Sequence, residues 1–319
     1  MTTLRMRVLR KTTEADGIAS FELASADGTP LPPYTAGAHV DVHGPGGIVR
    51  PYSLYGDPAD TSCYRIAVLR EPASRGGSAA MHDAVKAGDE ITIGAPRNLF
   101  PLADGAASHL LLAGGIGITP LLAMVQVLAS READFTLHYC TRSAARTAFA
   151  DTLRASRFAN RVHLHHDDGP AAQRLDLAAL LASPPAGRHL YVCGPQGFMD
   201  AVLNAARAAG WPADRLHSES FTPAPAPQEG DRAFEVMLAK SGRVIPVAAD
   251  CSVVQALAAA GVVLPTSCEQ GICGTCLTRV VDGVPEHRDQ YLTDEERAAN
   301  DQFLPCCSRA QSARLVLEL

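Results

Sequence analysis

"SCEQGICGTCLTRV", Ser267 to Val280, is the stretch on which the reading of this chain turns. Cys268, Cys273 and Cys276 form a Cys-x4-Cys-x2-Cys run, with Gly271 and Gly274 between them. A disulfide scaffold, a zinc site and an iron–sulfur cluster all crowd thiols in this way. Structural zinc sites usually pair two short Cys-x2–4-Cys hooks. Here three thiols share one loop, and further cysteines arrive far downstream in "PCCSRAQSARLVLEL". That arrangement is the plant-type 2Fe–2S pattern. Three thiolates can converge on a compact anionic cluster only if the backbone folds around it. Glycines permit the tight turns and let amide N–H groups point at sulfur. Zinc and unliganded thiols remain the competing readings.

The rest of the chain sets the context for that loop. Its 319 residues imply two or three domains, each with its own core. Apolar residues make up 47% and charged residues 19%, as in ordinary globular proteins. A formal net charge of −6 argues against nucleic-acid binding. The nine cysteines are an odd number, and "MTTLRMRVLRKTTEADG" at the start has no continuous apolar stretch. A reducing cytoplasm is therefore expected, with disulfides disfavoured. The long uncharged run "LLLAGGIGITPLLAMVQVLA", Leu110 to Ala129, is broken in its middle by Gly114, Gly115, Gly117 and Pro120. It reads as a buried strand, a tight loop and a packed helix rather than a membrane span.

Along the chain three rhythms follow one another. The first hundred residues carry short strand-like runs, "HVDVHG", "VRPYSLYG", "YRIAVLRE" and "DEITIGAP", separated by Gly, Pro and Asp. They predict an antiparallel β-barrel over residues 1–104. From His109 strand and helix alternate, which predicts a parallel α/β sheet of Rossmann-like kind over 105–222. The proline-rich "TPAPAPQEG" then supplies a semi-rigid spacer, with the linker placed at 223–230. Beyond it, over 231–319, come a hairpin in "AFEVMLAKSGRVIPVAA", the helix "SVVQALAAAG", the cysteine loop and the terminal strand "ARLVLEL".

Two more stretches carry chemistry. "AGGIGITP", Ala113 to Pro120, ends a strand and opens a helix, but Pro120 stands where the third glycine of a dinucleotide fingerprint would be. "RGGSAAMHD" leads through Gly76 and Gly77 into a helix at Ser78, where free amides suit a phosphate. "RPYSL", Arg50 to Leu54, offers an arginine to a phosphate and a tyrosine to a planar ring. An ordinary barrel strand with an exposed arginine is the alternative for that stretch.

Taken in order, "RPYSL", "RGGS", "GGIGITP", "CGP", "SESF" and the cysteines resemble the phthalate dioxygenase reductase family, to which vanillate demethylase reductases are close. The resemblance covers the whole chain. It implies a multidomain fold: an antiparallel flavin barrel, a nucleotide domain, and an α+β, β-grasp ferredoxin domain. It implies FMN, NADH and one 2Fe–2S cluster as cofactors. It places Arg50, Tyr52, Ser53, Ala67, Val68, Gly76, Gly77 and Ser78 at the flavin. Gly114, Gly115, Gly117, Thr119, Pro120, Thr141, Arg142, Cys193, Gly194 and Pro195 are placed at the nicotinamide nucleotide. Phe221 would cover the flavin ring with Glu219 nearby, and Ser53, Cys193, Glu219 and Phe221 would form the catalytic group. Plain core packing is the other reading of Phe221. The same resemblance makes the first of the paired downstream cysteines the fourth ligand, so the metal set is Cys268, Cys273, Cys276 and Cys306. Of the remaining cysteines, Cys63, Cys140, Cys251 and Cys307 are read as small buried hydrophobes. Thr141-Arg142 lacks the acidic residue that usually marks NAD, and an arginine accepts a 2′-phosphate, whereas the family precedent favours NADH.

The activity implied is that of a cytoplasmic, monomeric reductase that passes electrons from NADH to a Rieske-type oxygenase acting on an aromatic compound. A reductase for a separate cytochrome P450 and a non-enzymatic iron–sulfur carrier are the alternatives. The histidines of "HLHHDDG", His163, His165 and His166, are read as alternating between strand faces, against a shared metal, and Asp167 and Asp168 as a polar loop.

Overall fold

The computed structural model describes residues 3–72, 76–221, 230–266, 271, 274–289 and 291–319. The chain parts into two compact units, Met1–Phe221 and Thr222–Leu319. The expected linker lies outside the described residues, apart from Gly230.

The first unit opens with strands β1 (Thr3–Ala15), β2 (Ile18–Ser25), β3 (Ala38–His43), β4 (Val49–Ser53) and β5 (Tyr64–Leu69). Helix α1 (Gly77–Asp83) and strands β6 (Glu90–Gly94) and β7 (Arg97–Asn98) follow. The strands run antiparallel in the order β4-β3-β6-β1-β2-β5, with β7 beside β3. A bridge between Leu54 and Ile66, with Tyr55 N donating to Arg65 O at 3.0 Å, ties the two edges together and closes the barrel. Period-two alternation explains the closure. Met6 and Val8 of β1, Phe21 and Leu23 of β2, and Val40 and Val42 of β3 all point inward to one core.

The same unit continues with β8 (Ser108–Gly114), α2 (Ile118–Ser130), β9 (Phe135–Thr141), α3 (Ala150–Arg154), β10 (Val162–His166), α4 (Leu177–Leu181), β11 (Arg188–Gly194), α5 (Gln196–Ala208) and β12 (Leu216–Ser220). All five strands are parallel, in the order β10-β9-β8-β11-β12. Strand β8 explains why both faces are covered. Leu110 and Leu112 join the core under α4 and α5, while Leu111 and Ala113 join the core under α2. That second core also holds Ile18, Ala36, Ala67 and Phe100 of the barrel, so barrel and nucleotide sheet are one packed body.

The expectation that the histidines of β10 alternate between faces is corrected by the structure. Residues two apart on a strand share a face. His163 and His165 therefore lie together, and His138 of β9 stacks on both, with ring centroids 4.8 and 5.3 Å away. His166 alone faces the other way, its Nδ1 3.0 Å from the Thr141 hydroxyl.

The second unit comprises β13 (Phe234–Leu238), β14 (Val244–Val247), α6 (Val253–Ala259), β15 (Thr278–Asp282), β16 (Pro285–Glu286), α7 (Asp294–Ala299), β17 (Gln302–Phe303), β18 (Arg309–Ala310) and β19 (Arg314–Leu317). Five strands form a mixed sheet, β14-β13-β19-β15-β17, in which β13 and β19 run parallel. Helix α6 lays Val253, Ala256 and Leu257 on it. Capping boxes, Ser252 with Gln255 and Thr293 with Glu296, start α6 and α7. Arg288 grips Asp231 through two hydrogen bonds of 2.5 and 3.2 Å, which fastens the first described residues of the unit to its body. No helix among the described residues is long and apolar enough to cross a membrane.

Candidate functional site

In the first unit the strand order reverses between β8 and β11, because their sequence neighbours leave in opposite directions. In open parallel sheets such a switch point leaves a crevice beyond the carboxyl ends of the strands. Both glycine-rich turns are there. A Cβ on Gly117 would lie 2.3 Å from the Cys193 carbonyl oxygen. One on Gly194, at φ +157°, would lie 2.8 Å from Gly114 Cα. Only glycine lets these two turns interlock. Gly115, at φ +53°, instead faces open space. Thr119 is buried and donates to Ile116 O at 3.0 Å, which braces the turn from inside. Pro120 sits in the first turn of α2, where its missing N–H costs nothing.

The β11 and β12 residues that face the barrel include Cys193 and Glu219, neighbours in parallel register. Ser53, the last residue of β4, donates its hydroxyl to Glu219 Oε2 at 3.4 Å across 166 residues of sequence. All three are buried. Burial pushes the Glu219 carboxyl up to about 8, with the Ser53 hydrogen bond opposing it. The same burial, helped by Glu219, pushes the Cys193 thiol far up. At neutral pH the site therefore holds a protonated carboxyl beside a neutral thiol. Phe221 packs on the core that contains Ala67 and Cys193. Val68 points into the barrel core instead.

On the barrel, Gly76 caps α1 at φ +103°, and a Cβ on Gly77 would lie 3.0 Å from Arg50 Cγ. The Arg50 stem thus lies along the start of α1. Tyr52 is half-buried, and desolvation pushes its phenol up to about 12 despite Arg50. Ser78 accepts the Glu71 N–H at 3.1 Å. These residues fit a flavin phosphate at one end and a ring at Ser53. Thr141 is brought to a different task. Its hydroxyl is buried among Thr147 at 2.7 Å, His166 at 3.0 Å and Ser143 O at 3.2 Å, so it holds the loop while Arg142 is exposed.

In the second unit, Cys268 and Cys273 lie outside the described residues. Cys276, Cys306 and Cys307 are buried in one cluster, and the neighbouring Cys276 and Cys307 thiols together with burial push the Cys306 thiol far up. Cys307 has further partners: it donates to Leu304 O at 3.7 Å and lies 3.7 Å from Ser308 Oγ. Gly271 and Gly274 take φ +75° and +69°. A Cβ on Gly271 would meet Cys307 Sγ at 2.4 Å, and one on Gly274 the Tyr291 ring at 2.4 Å. Such a cradle, with convergent sulfur donors, suits a 2Fe–2S cluster. Sequence reasoning did not anticipate Asp289 or Tyr291, which wall this cradle. The only local signal was a polar run before the Thr293 capping box.

Residues 236–311 match the family of 2Fe–2S iron-sulfur cluster binding domains. Residues 94–216 match the N-terminal domain of dimethylamine monooxygenase subunit DmmA-like proteins. A vanillate O-demethylase oxidoreductase from Pseudomonas sp. is 57% identical over 96% of each chain. The structure entitled phthalate dioxygenase reductase, "a modular structure for electron transfer from pyridine nucleotides to" 2Fe–2S, superposes with a TM-score of 0.78 at 39% identity, over 99% of this chain and 98% of that one. The chain belongs to the phthalate dioxygenase reductase family. Members of this family are oxidoreductases, and this chain is one. A self-sufficient type IV cytochrome P450 monooxygenase also contains the module, with a TM-score of 0.82 and 39% identity, over 99% of this chain and 41% of that one.

Proposed function

We propose that the chain is the reductase component of a two-component Rieske-type aromatic O-demethylase, using NADH, FMN and one 2Fe–2S cluster, as a cytoplasmic monomer. Its working parts are a flavin barrel (1–104), a nucleotide domain (105–222) and a ferredoxin domain (231–319). The observation that carries the reading is the buried Ser53–Glu219 hydrogen bond beside Cys193, because it joins the barrel's Arg-Pro-Tyr-Ser strand to the edge of the nucleotide sheet. A flavin bound there supplies the conversion of a two-electron hydride into single electrons.

The chain's own residues place and shield that chemistry. Arg50 and the amides at Gly76 and Gly77 bind phosphate, and Tyr52 lies along the ring. Ser53 Oγ stands at the reactive edge, where a bound flavin would take the O–H that Glu219 Oε2 otherwise accepts. Glu219 keeps its proton near neutral pH and holds the Ser53 hydroxyl in place. Gly114, Gly115 and Gly117, with Gly194 and Pro195, let a nicotinamide approach backbone closely. Phe221 covers the ring from water until the nicotinamide enters. Cys268, Cys273, Cys276 and Cys306 hold the cluster.

The choice of a methoxylated aromatic compound as the partner oxygenase's substrate is supported by vanillate O-demethylase oxidoreductases at 57%, 52% and 45% identity. Mixing the purified chain with a vanillate-demethylating oxygenase, NADH and vanillate should release formaldehyde in step with NADH oxidation. NADH oxidation without demethylation, but with turnover of a P450 offered separately, would favour the haem partner that the P450 match suggests.

A further inference from the structure

The wall of the cysteine loop contains a buried carboxylate that the proposed function does not use. The Asp289 side chain has no solvent exposure. Its Oδ2 accepts the amides of Leu292 at 2.9 Å and Tyr291 at 3.2 Å. Its Oδ1 accepts the Ser308 hydroxyl at 3.4 Å. Ser308 adjoins the Cys306–Cys307 pair, and its hydroxyl lies 3.7 Å from Cys307 Sγ. From the other side, the missing side chain of Gly271 leaves room for Asp289 itself, since a Cβ there would lie 2.9 Å from Asp289 Cα. Asp289 therefore touches both halves of the cradle: its Cα and Cβ face the loop at Gly271, and its carboxylate faces the turn after Cys306. One guanidinium answers its charge. Arg297 Nη2 lies 3.9 Å from Oδ2 and donates to the Asp289 carbonyl at 2.7 Å. His287 Nδ1 stands 3.6 Å from Oδ1.

A buried negative charge acts strongly on its surroundings, because little water screens it. Reducing a 2Fe–2S cluster adds one more negative charge, and cluster potential follows net charge, hydrogen bonding and exposure. We propose that Asp289 is a positioning residue for the cluster and that its charge, balanced by Arg297, holds the cluster's reduction potential low. This rests on the assignment of a 2Fe–2S cluster to the cysteine loop. A low potential keeps the reduced cluster strongly donating toward the oxygenase.

The two substitutions that test this have opposite signs. Asp289→Asn keeps the shape, and its amide oxygen still accepts from Tyr291 and Leu292 while its NH2 donates to Ser308. It removes only the charge. Arg297→Gln removes the counter-charge and leaves the carboxylate. Redox titration of the full-length holoprotein, followed by cluster absorption and paramagnetic resonance, reads the result, with iron content measured alongside. Asp289→Asn should keep full iron and change the oxidised-to-reduced ratio at fixed potential about tenfold towards reduced, a positive shift of ~59 mV for a one-electron couple. Arg297→Gln should shift the potential the other way. A fully loaded Asp289→Asn protein with an unchanged or lower potential overturns the proposal. If that variant fails to load iron, Arg297→Gln decides alone, and an unchanged or higher potential there overturns it. A wild-type holoprotein with no 2Fe–2S spectrum overturns the cluster assignment, and the proposal with it.

Discussion

Glu219 shows how one residue's surroundings set its chemistry. Its carboxyl titrates near 8 when folded, against an ordinary value of 4.5. The folded chain thus binds this proton more tightly than the unfolded chain does. Glu219's contribution to stability is fully present below about 4.5 and is lost as pH rises through about 8. The Glu219→Gln protein should lack that loss, so its melting temperature relative to wild type should rise between pH 5 and pH 8. Flavin reduction followed by stopped flow should likewise fall through about pH 8 in wild type and stay flat across that range in Glu219→Gln. Ser53→Ala should slow flavin reduction about tenfold, the equivalent of one lost hydrogen bond of ~1.4 kcal/mol. A rate within a factor of two of wild type would remove Ser53 from the site. At the cysteine loop, Cys306→Ser should lose most of the 2Fe–2S signal and Cys307→Ser should keep it, since the Cys307 thiol already has Leu304 O and Ser308 as partners. A normal signal in Cys306→Ser would move the fourth ligand elsewhere. The cysteine spacing and the Arg-Pro-Tyr-Ser strand were legible in the sequence. The contact between Ser53 and Glu219 was not, because it spans 166 residues and no local pattern encodes it. Asp289 looked like an ordinary turn residue, because its bonds to Tyr291 and Leu292 are local and only the contacts with Ser308 and Gly271 tie it to the cysteine loop.

At the level of elements, the turns after β8 and β11 interlock at the proposed nucleotide site. Gly117→Ala forces a methyl group to within 2.3 Å of the Cys193 carbonyl, which is backbone and cannot swing aside. The expected cost is about 1–3 kcal/mol of stability, with a raised KM for NADH and the 2Fe–2S spectrum untouched. The parallel sheet also gathers imidazoles. His138, held down to about 4 by burial and by His163 and His165, sits in one stack. His189 and His217, ring nitrogens 2.9 Å apart, form another, and burial lowers both. These groups fold neutral. Between the ordinary value of 6.5 and their lowered folded values the unfolded chain binds more protons, so stability falls as pH drops through that window. Native-state hydrogen exchange should therefore show β9–β12 opening as pH falls from 6.5 towards 4, ahead of the ferredoxin unit. Simultaneous opening of both units would contradict this. Strand–helix alternation was legible because strands buried on both faces, such as β8, read as continuous apolar runs broken by glycine and proline. The stacking was misread from "HLHHDDG", where period two places His163 and His165 on one face and the partner His138 lies on another strand.

The molecule as a whole joins a barrel and a nucleotide sheet in one unit, with the ferredoxin unit beyond the proline-rich segment. The three rhythms of barrel, α/β sheet and ferredoxin were legible by pattern. The shared core of barrel and nucleotide sheet was not, because Ile18, Ala36, Ala67 and Phe100 look like any barrel residues until α2 packs on them. Electrons are expected to pass from NADH to flavin within the first unit and then from flavin to the cluster of the second. Steady-state NADH oxidation by a chain that ends near Pro223 checks this order. That chain should bind FMN and reduce ferricyanide at close to the full-length rate, because the dye takes electrons from flavin. It should lose nearly all activity toward cytochrome c and toward the oxygenase, because the one-electron outlet is gone. Reduction of the oxygenase by the truncated chain as fast as by the full-length protein would contradict the order.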